Sequence, residues 1–461
     1  MGSYCFASIL LYSRCLNLVF PHHRARRPRV SRGRHVSHPR LRRGVWCCVA
    51  ARENHADDDR LRRSDHFGDC AVYGGFEVFI WQTQAMSELA DINTPAALVD
   101  TDRMQRNIMR MQTRMNALNV AFRPHVKTTK CLPIAKAQIE AGARGITVST
   151  LKEAEQFFAA GITDVLYAVS MASPKLRQAA ALIHKGCALK IIADSSISAA
   201  AIASFSSQNC VKFEVLIEID TDGHRSGVKP ESDDLIAIGR ILAEAGALGG
   251  VMTHAGASYA LSTPQALQAM AEQERSLCVR AAQRLREAGL PCAVVSVGST
   301  PTALNAQQLD GVTEVRAGVY VFFDLVMKNI GVCSEGDIAL SVLTTVIGHQ
   351  AEKGWAIVDA GWMAMSRDRG TQHQSQDFGY GQVCDVQGCP LAGYTMQSAN
   401  QEHGIIARNG SVDADIARTL PAGTLLRIFP NHACATAAQF PEYQAIEGHE
   451  VIATWPRFYG W

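Results

Sequence analysis

The stretch IFPNHACATAA, residues 428–438, sets two soft metal ligands, His432 and Cys434, one residue apart. The apolar run Leu425 to Phe429 reads as a strand stopped by Pro430, which cannot donate to a ladder. That places His432 and Cys434 on one side of a short extended segment. An imidazole and a thiolate together suit a metal ion, and a thiolate favours Zn2+ over harder cations. Two ligands fall short of the three protein ligands usual at a catalytic zinc, so water or substrate oxygens would complete the shell. The same pair also fits a loop with no metal.

A second set of reactive groups falls at the ends of short apolar runs. RPHVKTTK, 123–130, carries His125 and Lys127, which strand alternation puts on one face with Val126 on the other. A partly buried lysine at such a position is a candidate Schiff-base amine, because burial favours the neutral nucleophile. A solvated surface lysine is the plain alternative. Later runs end in EIDTDGHRSG with His224 and Arg225, in THAGASY with His254 and Tyr259, and in VGSTPT with Gly298, Ser299 and Thr300. Small residues let backbone amides approach a phosphate, and two hydroxyls add donors, although Gly-Ser-Thr is also ordinary turn chemistry. The last run, EVRAGVYVFFD, offers Gly318 and Tyr320. A lysine on an early strand with a phosphate cradle on late strands of one barrel describes a pyridoxal phosphate site.

The elements that must hold these groups follow from periodicity. Residues 96–340 alternate β-branched or apolar runs with amphipathic helices, beginning with AALVD, 96–100, and a helix from Asp102 to Leu118. In that helix Met104, Ile108, Met111 and Met115 recur at helical spacing and read as core or interface packing. Some eight strands alternate with helices, which argues for parallel pairing through helical crossovers. Reactive residues gather at strand C-termini and no GxGxxG follows the first strand. Both favour a closed (β/α)8 barrel over a doubly wound sheet. After Val332 the helical period fades, and short apolar runs separated by Gly, Asp, Asn and Pro predict a second, all-β domain. The predicted organisation is a barrel over 95–335 and an antiparallel β-domain over 336–461, to which 86–94 can contribute.

Composition bounds the rest. The 461 residues are 47% hydrophobic with a net charge of +2, which excludes a general nucleic-acid-binding surface. No apolar run reaches the roughly 18 residues that span a bilayer. The 14 cysteines show no CxxC pair or regular framework, so they read as free thiols of a reducing compartment. Residues 1–85 stand apart, with 14 Arg, no Lys, 5 Cys and 6 His. They read as an unstructured Arg-rich extension: translated upstream DNA ahead of Met86, a transit peptide, or a basic arm. Without a transit peptide the expected location is cytoplasmic; with one it is organellar.

TPAALVD, RPHVKTTK, GITVSTLKEAE, IEIDTDGHRSGV, THAGASY, VGSTPT, VRAGVYVFFD, NQEHG and PNHACAT together carry a resemblance running from about Asp91 to Trp461. Over that span the chain resembles the fold-type III, alanine racemase-like pyridoxal phosphate enzymes. Within them it is similar to the D-serine dehydratase and D-threonine aldolase branch. The resemblance implies that Lys127 holds the cofactor as a Schiff base, that Gly298, Ser299, Thr300, Gly318 and Tyr320 surround its phosphate, and that Tyr259 and His254 lie near its ring. It makes His432 and Cys434 zinc ligands, with Mn2+ or Mg2+ as the alternative. Aldolases of the branch carry HCD where this chain has HAC, which tilts the expectation from carbon–carbon cleavage to dehydration of a D-3-hydroxy amino acid by a lyase. D-serine dehydration and aldol cleavage stay open, and a racemase would need a second base such as Tyr380 or Tyr394. The resemblance also implies a homodimer acting on a small molecule, without nucleic acid or membrane.

Three further residues have two readings each. His125 is a second base or packing at the barrel mouth. Arg225 faces the cofactor or substrate, or pairs with Asp220 or Asp222. His403 of NQEHG reaches the site or decorates the β-domain. DAGWMAMSRDRG, 359–370, reads as an active-site or interface loop without assigned roles.

Overall fold

In the computed structural model, residues 87–461 are described, together with the backbone of an isolated antiparallel hairpin, Cys70–Tyr73 with Phe76–Phe79. The readings of 1–85 otherwise lie outside the described residues. The nine cysteines of residues 87–461 are all free thiols, and no helix among the described residues is long and apolar enough to cross a membrane.

Eight parallel strands form the barrel: Ala121–Pro124 (β1), Ile146–Val148 (β2), Asp164–Ser170 (β3), Ala188–Ala193 (β4), Glu214–Ile219 (β5), Leu248–Thr253 (β6), Val294–Val297 (β7) and Glu314–Ala317 (β8). Neighbours pair in chain order, and β8 returns to β1 with Ala317 opposite Pro124. The seam between β1 and β2 closes through one bridge, His125 to Thr147, and the bond from Val126 N–H to the Thr147 carbonyl (2.9 Å). Closure thus falls beside Lys127. Helices cap as their sequences demand: Asp100 accepts from the Arg103 amide (3.0 Å), and Thr263 with Pro264 opens the long helix Pro264–Glu287. Met104, Ile108, Met111 and Met115 are all buried core.

The barrel interior is layered. Leu166, Ile192, Leu216 and Met252 form a small apolar plug. Charged residues fill the remaining inward positions: Arg123 pairs with Asp164 (3.0 Å) and Glu314 (2.9 Å), and Lys190 with Asp164 (3.0 Å).

The second domain is a ten-stranded sheet, antiparallel except where Glu442–Glu447 lies parallel to Ala96–Asp100. Pairing of Leu340–Gln350 with Trp355–Val358 rolls part of it into a closed barrel. Ser87–Glu88 joins its edge beside Glu450–Pro456. One expectation is corrected. Ala96–Asp100 is not a barrel strand; it lies between Leu340–Gln350 and Glu442–Glu447. Its three central residues are buried on both faces, so its apolar run could not reveal which sheet it enters.

Candidate active site

A cavity of about 490 Å³ opens at the C-terminal ends of the barrel strands and is walled on one side by the β-domain. Its lining contains His125, Lys127, Arg225, His254, Tyr259, Gly298, Ser299, Gly318, His432 and Cys434. The strand-end groups and the His432–Cys434 pair therefore meet in one place.

His125 ends β1. Its Nδ1 faces the Lys127 amide (3.4 Å), and its ring also hydrogen-bonds the Thr147 backbone. Burial, then the charge of Lys127, push its pKa well below the ordinary value. A neutral ring whose Nδ1 accepts from the Lys127 amide positions the lysine turn. Val126 is buried on the opposite side.

After β7 the chain turns at Gly298, whose φ of +131° and close packing both require glycine: a Cβ there would meet the Arg316 carbonyl at 2.2 Å. Ser299 caps the next helix, Thr300–Asn305, and its hydroxyl contacts that of Ser258 (2.8 Å). A Cβ on Gly318 would stand 3.0 Å from the His125 carbonyl and 3.1 Å from Thr128 Oγ1. The Gly318 and Val319 amides donate to no acceptor among the described residues. Small residues and free amides around one turn fit a phosphate. Below them lies Arg316, buried, donating to Ser296 Oγ (2.8 Å) and to the Thr253 carbonyl. Lys127, the amide cradle and this cation fit pyridoxal phosphate.

His254 hydrogen-bonds the Gly298 carbonyl through Nδ1 (3.0 Å), and burial pushes its pKa down to about 3, so the ring is neutral. Burial raises the Tyr259 phenol, which keeps its proton.

His432 and Cys434 do not lie on an extended segment, as the sequence reading held. His432 is the N-cap of a short helix, Ala433–Ala437, and Cys434 stands in its first turn. Pro430 ends the strand, but ACATA then favours helix. The Pro430 and Asn431 carbonyls accept from the Leu325 and Val326 amides (3.1 and 3.2 Å), and Asp324 accepts from the Ala433 amide (2.9 Å). These bonds tie the segment to the barrel. Cys434 Sγ lies 3.2 Å from Thr128 Oγ1, next in sequence to Lys127. His432 Nδ1 is 2.5 Å from Asp368 Oδ2, and the ring also hydrogen-bonds Cys434. Burial opposes charge on both groups, yet the His432 pKa is raised by Asp368 and Cys434, and that of Cys434 is lowered by His432 and then Lys127. A cysteine sulfur beside a histidine ring buttressed by a carboxylate is a donor set suited to a metal ion. No group of three or more His, Cys, Asp or Glu that could hold a metal occurs among the described residues.

Three expected site residues do not line the cavity. Thr300 is buried and its hydroxyl accepts from the Tyr320 amide (3.2 Å), so it supports the turn from behind. Tyr320 points away: Gln138 donates to its hydroxyl (2.7 Å) and its ring packs edge-on against Phe122. His403 is exposed, in the turn between Pro390–Ala399 and Gly404–Arg408. Tyr380 and Tyr394 are likewise absent from the lining. Arg225 pairs with Glu218 (3.3 Å) rather than Asp220 or Asp222; Asp220 is engaged by Lys229 (2.6 Å).

Asp324, Asp368, Arg316 and Glu274 were not singled out in the sequence. Glu274 left a signal: an acid on the inward face of a helix with Leu267, Ala271 and Cys278. It accepts from the Ala255 and Gly298 amides (2.9 and 3.0 Å), locking the ends of β6 and β7 together.

Comparisons with known proteins agree with this geometry. The family model "Alanine racemase, N-terminal domain" matches residues 99–326, and "Putative serine dehydratase domain" matches 339–446. The chain belongs to the fold-type III, alanine racemase-like pyridoxal phosphate enzymes. It is 67% identical over 376 residues to D-threo-3-hydroxyaspartate dehydratase of Delftia sp. strain HT23, covering 81% of this chain and 99% of that protein. A cysteine-to-alanine variant of D-threo-3-hydroxyaspartate dehydratase, solved in the metal-free form, superposes with a TM-score of 0.80 at 66% identity, covering 81% of this chain and all of that one. D-Serine dehydratase of Dictyostelium discoideum is 29% identical, covering 79% of this chain and 96% of that protein.

Proposed function

We propose that this chain is a pyridoxal phosphate- and metal-dependent lyase that dehydrates D-threo-3-hydroxyaspartate to oxaloacetate and ammonia. The observation that carries the reading is the seating of Cys434 against Thr128 (3.2 Å), next in sequence to Lys127. β-Elimination acts on two adjacent carbons. It needs a base at Cα and an electrophile at the Cβ hydroxyl, and this contact puts candidates for both on one wall.

Bound pyridoxal phosphate supplies the electron sink that makes the Cα proton removable. A metal held by His432 and Cys434 supplies Lewis acidity toward a hydroxyl that leaves poorly in water, and the thiolate favours Zn2+ over Mn2+ or Mg2+. Lys127 takes the Cα proton at Nζ. His125 accepts from the Lys127 amide and holds the lysine turn instead of acting as a second base. Asp368 fixes the His432 ring. Gly298, Ser299 and Gly318 would hold the phosphate, and Arg316 lines the same cavity as a buried cation. The β-domain wall limits water around the reacting carbons. Two solved variants of D-threo-3-hydroxyaspartate dehydratase support the metal reading: one carries a histidine-to-alanine change and another, metal-free, carries a cysteine-to-alanine change two positions on, the spacing of His432 and Cys434. The protein is expected to act as a cytoplasmic homodimer, which light scattering and fractionation check.

The test is product analysis. The enzyme is incubated with D-threo-3-hydroxyaspartate before and after treatment with a strong chelator. Oxaloacetate with ammonia, lost on chelation and restored by Zn2+, is the expected result. Glycine with glyoxylate would mean carbon–carbon cleavage and overturn the reading.

A further inference from the structure

A second cavity, of about 380 Å³, adjoins the first and shares Lys127, Ser149 and Cys434 with it. Its outer walls are Lys130 and the last residues of the chain, Arg457 to Trp461. That segment is pinned in place. The Phe458 amide donates to the Lys130 carbonyl (2.6 Å), the Arg457 amide to the Pro441 carbonyl (2.8 Å), and the Phe458 ring packs edge-on against Phe157.

The cations around the two cavities are mostly committed. Lys127 is the proposed base. Lys130 pairs with Glu153 (2.9 Å) and Arg225 with Glu218 (3.3 Å). Arg316 donates to Ser296 and Thr253. Arg457 differs. It is only 8% exposed, its Nε is buried without an acceptor, and it touches the Tyr443 hydroxyl and stands over the Tyr459 ring, neither of them an anion. A buried guanidinium without a carboxylate is costly unless a ligand supplies one.

We infer that Arg457 binds the second carboxylate of a dicarboxylic D-amino acid and sets the preference for such substrates over D-serine. The inference rests on the reading above, that the substrate carries a carboxylate on its hydroxyl-bearing carbon. Lys127 and Cys434 line both cavities, so a further substituent of Cβ would have room in the second one, which Arg457 lines.

The test uses the holoenzyme and ligands that lack the β-hydroxyl, so that binding is read without turnover. Calorimetry compares D-aspartate, D-asparagine and D-alanine. Wild type is expected to prefer D-aspartate over its neutral isostere D-asparagine by about 10-fold or more, as a charge-assisted hydrogen bond implies. Arg457→Gln is expected to weaken D-aspartate by about 10–100-fold while D-alanine changes by less than about 2-fold. Arg457→Lys should recover part of the loss. Kinetically, Arg457→Gln should raise KM for the dicarboxylic substrate by a larger factor than KM for D-serine. Equal binding of D-aspartate and D-asparagine by wild type would overturn the inference, a comparison that needs no variant to fold. So would a loss common to D-aspartate and D-alanine with cofactor absorbance intact. A dicarboxylate preference without oxaloacetate formation would leave Arg457 in place and sink the proposed reaction instead.

Discussion

Asp368 offers the sharpest test of the metal reading, because its carboxylate bonds one proposed ligand on the ring nitrogen Nδ1. Its Oδ2 lies 2.5 Å from His432 Nδ1. This bond fixes the ring so that Nε2 faces Cys434. Asp368→Asn keeps an acceptor oxygen, hence the tautomer, but removes the charge. A charge-assisted hydrogen bond contributes about 1.5–3 kcal/mol and a neutral one about 0.5–1.5, a difference of roughly 1 kcal/mol. The side chains of His432 and Asp368 are 42% and 37% exposed, so solvent screening trims that figure. The expected loss of metal affinity for Asp368→Asn is about 3- to 5-fold. Asp368→Ala removes orientation as well and should cost about 10-fold, the lower end of the ~10–100-fold range for such partners. Affinity is read by competition with a chromophoric chelator, and cofactor absorbance reports whether the site is otherwise intact. Ala binding metal as tightly as wild type would refute the reasoning, as would Asn binding it more weakly than Ala.

Three other perturbations follow from the geometry. Lys127→Ala should abolish the Schiff-base absorbance and lower turnover at least about 100-fold, the usual scale of a lost general base, measured by spectroscopy and product formation. Gly298→Ala forces a side chain into a left-handed position against the Arg316 carbonyl; it should cost about 1–3 kcal/mol of stability by denaturant titration, and weaken cofactor binding. Burial raises the Asp164 pKa, but hydrogen bonds and charge from Arg123 and Lys190 outweigh it and hold the carboxyl below its ordinary value. The stabilisation is then fully present above the ordinary carboxylate pKa and lost as pH falls through the lowered one. Asp164→Asn should therefore be less stable than wild type at neutral pH, with the gap closing in acid; a gap independent of pH would contradict this.

The barrel was legible because each parallel strand is a short β-branched run followed by an amphipathic helix, and because reactive residues collect where such runs end. What failed to show was pairing beyond neighbours. Ala96–Asp100 is followed by a helix, as any βα unit is, and nothing in its apolar residues names a partner 240 positions away. Pro390–Ala399 was missed since half of it faces solvent and lacks a clean alternation. At the site, groups at strand ends came together as expected. Tyr320 did not, because Gly318 breaks the strand and a turn of 3-10 helix carries the ring inward. Asp368 sits in an irregular loop whose position is set by Asn431, which donates to the Asp368 and Gly379 carbonyls (3.4 and 2.7 Å). No sequence period encodes a bond across 63 positions.

The placement of Ala96–Asp100 in the second sheet also governs how the chain is made. During synthesis this strand emerges before the whole barrel, yet its two neighbours are Leu340–Gln350 and Glu442–Glu447, which follow it. Thr101 hydrogen-bonds the Ile446 carbonyl across 345 positions. The barrel can assemble vectorially, unit by unit, while the β-domain must wait for the chain's last residues. A fragment starting at 336 would carry two unpaired strand edges where one strand belongs, an invitation to self-association. The proposed metal ligands ride on the late-arriving domain, so the site that would bind substrate is completed only after the barrel has been made.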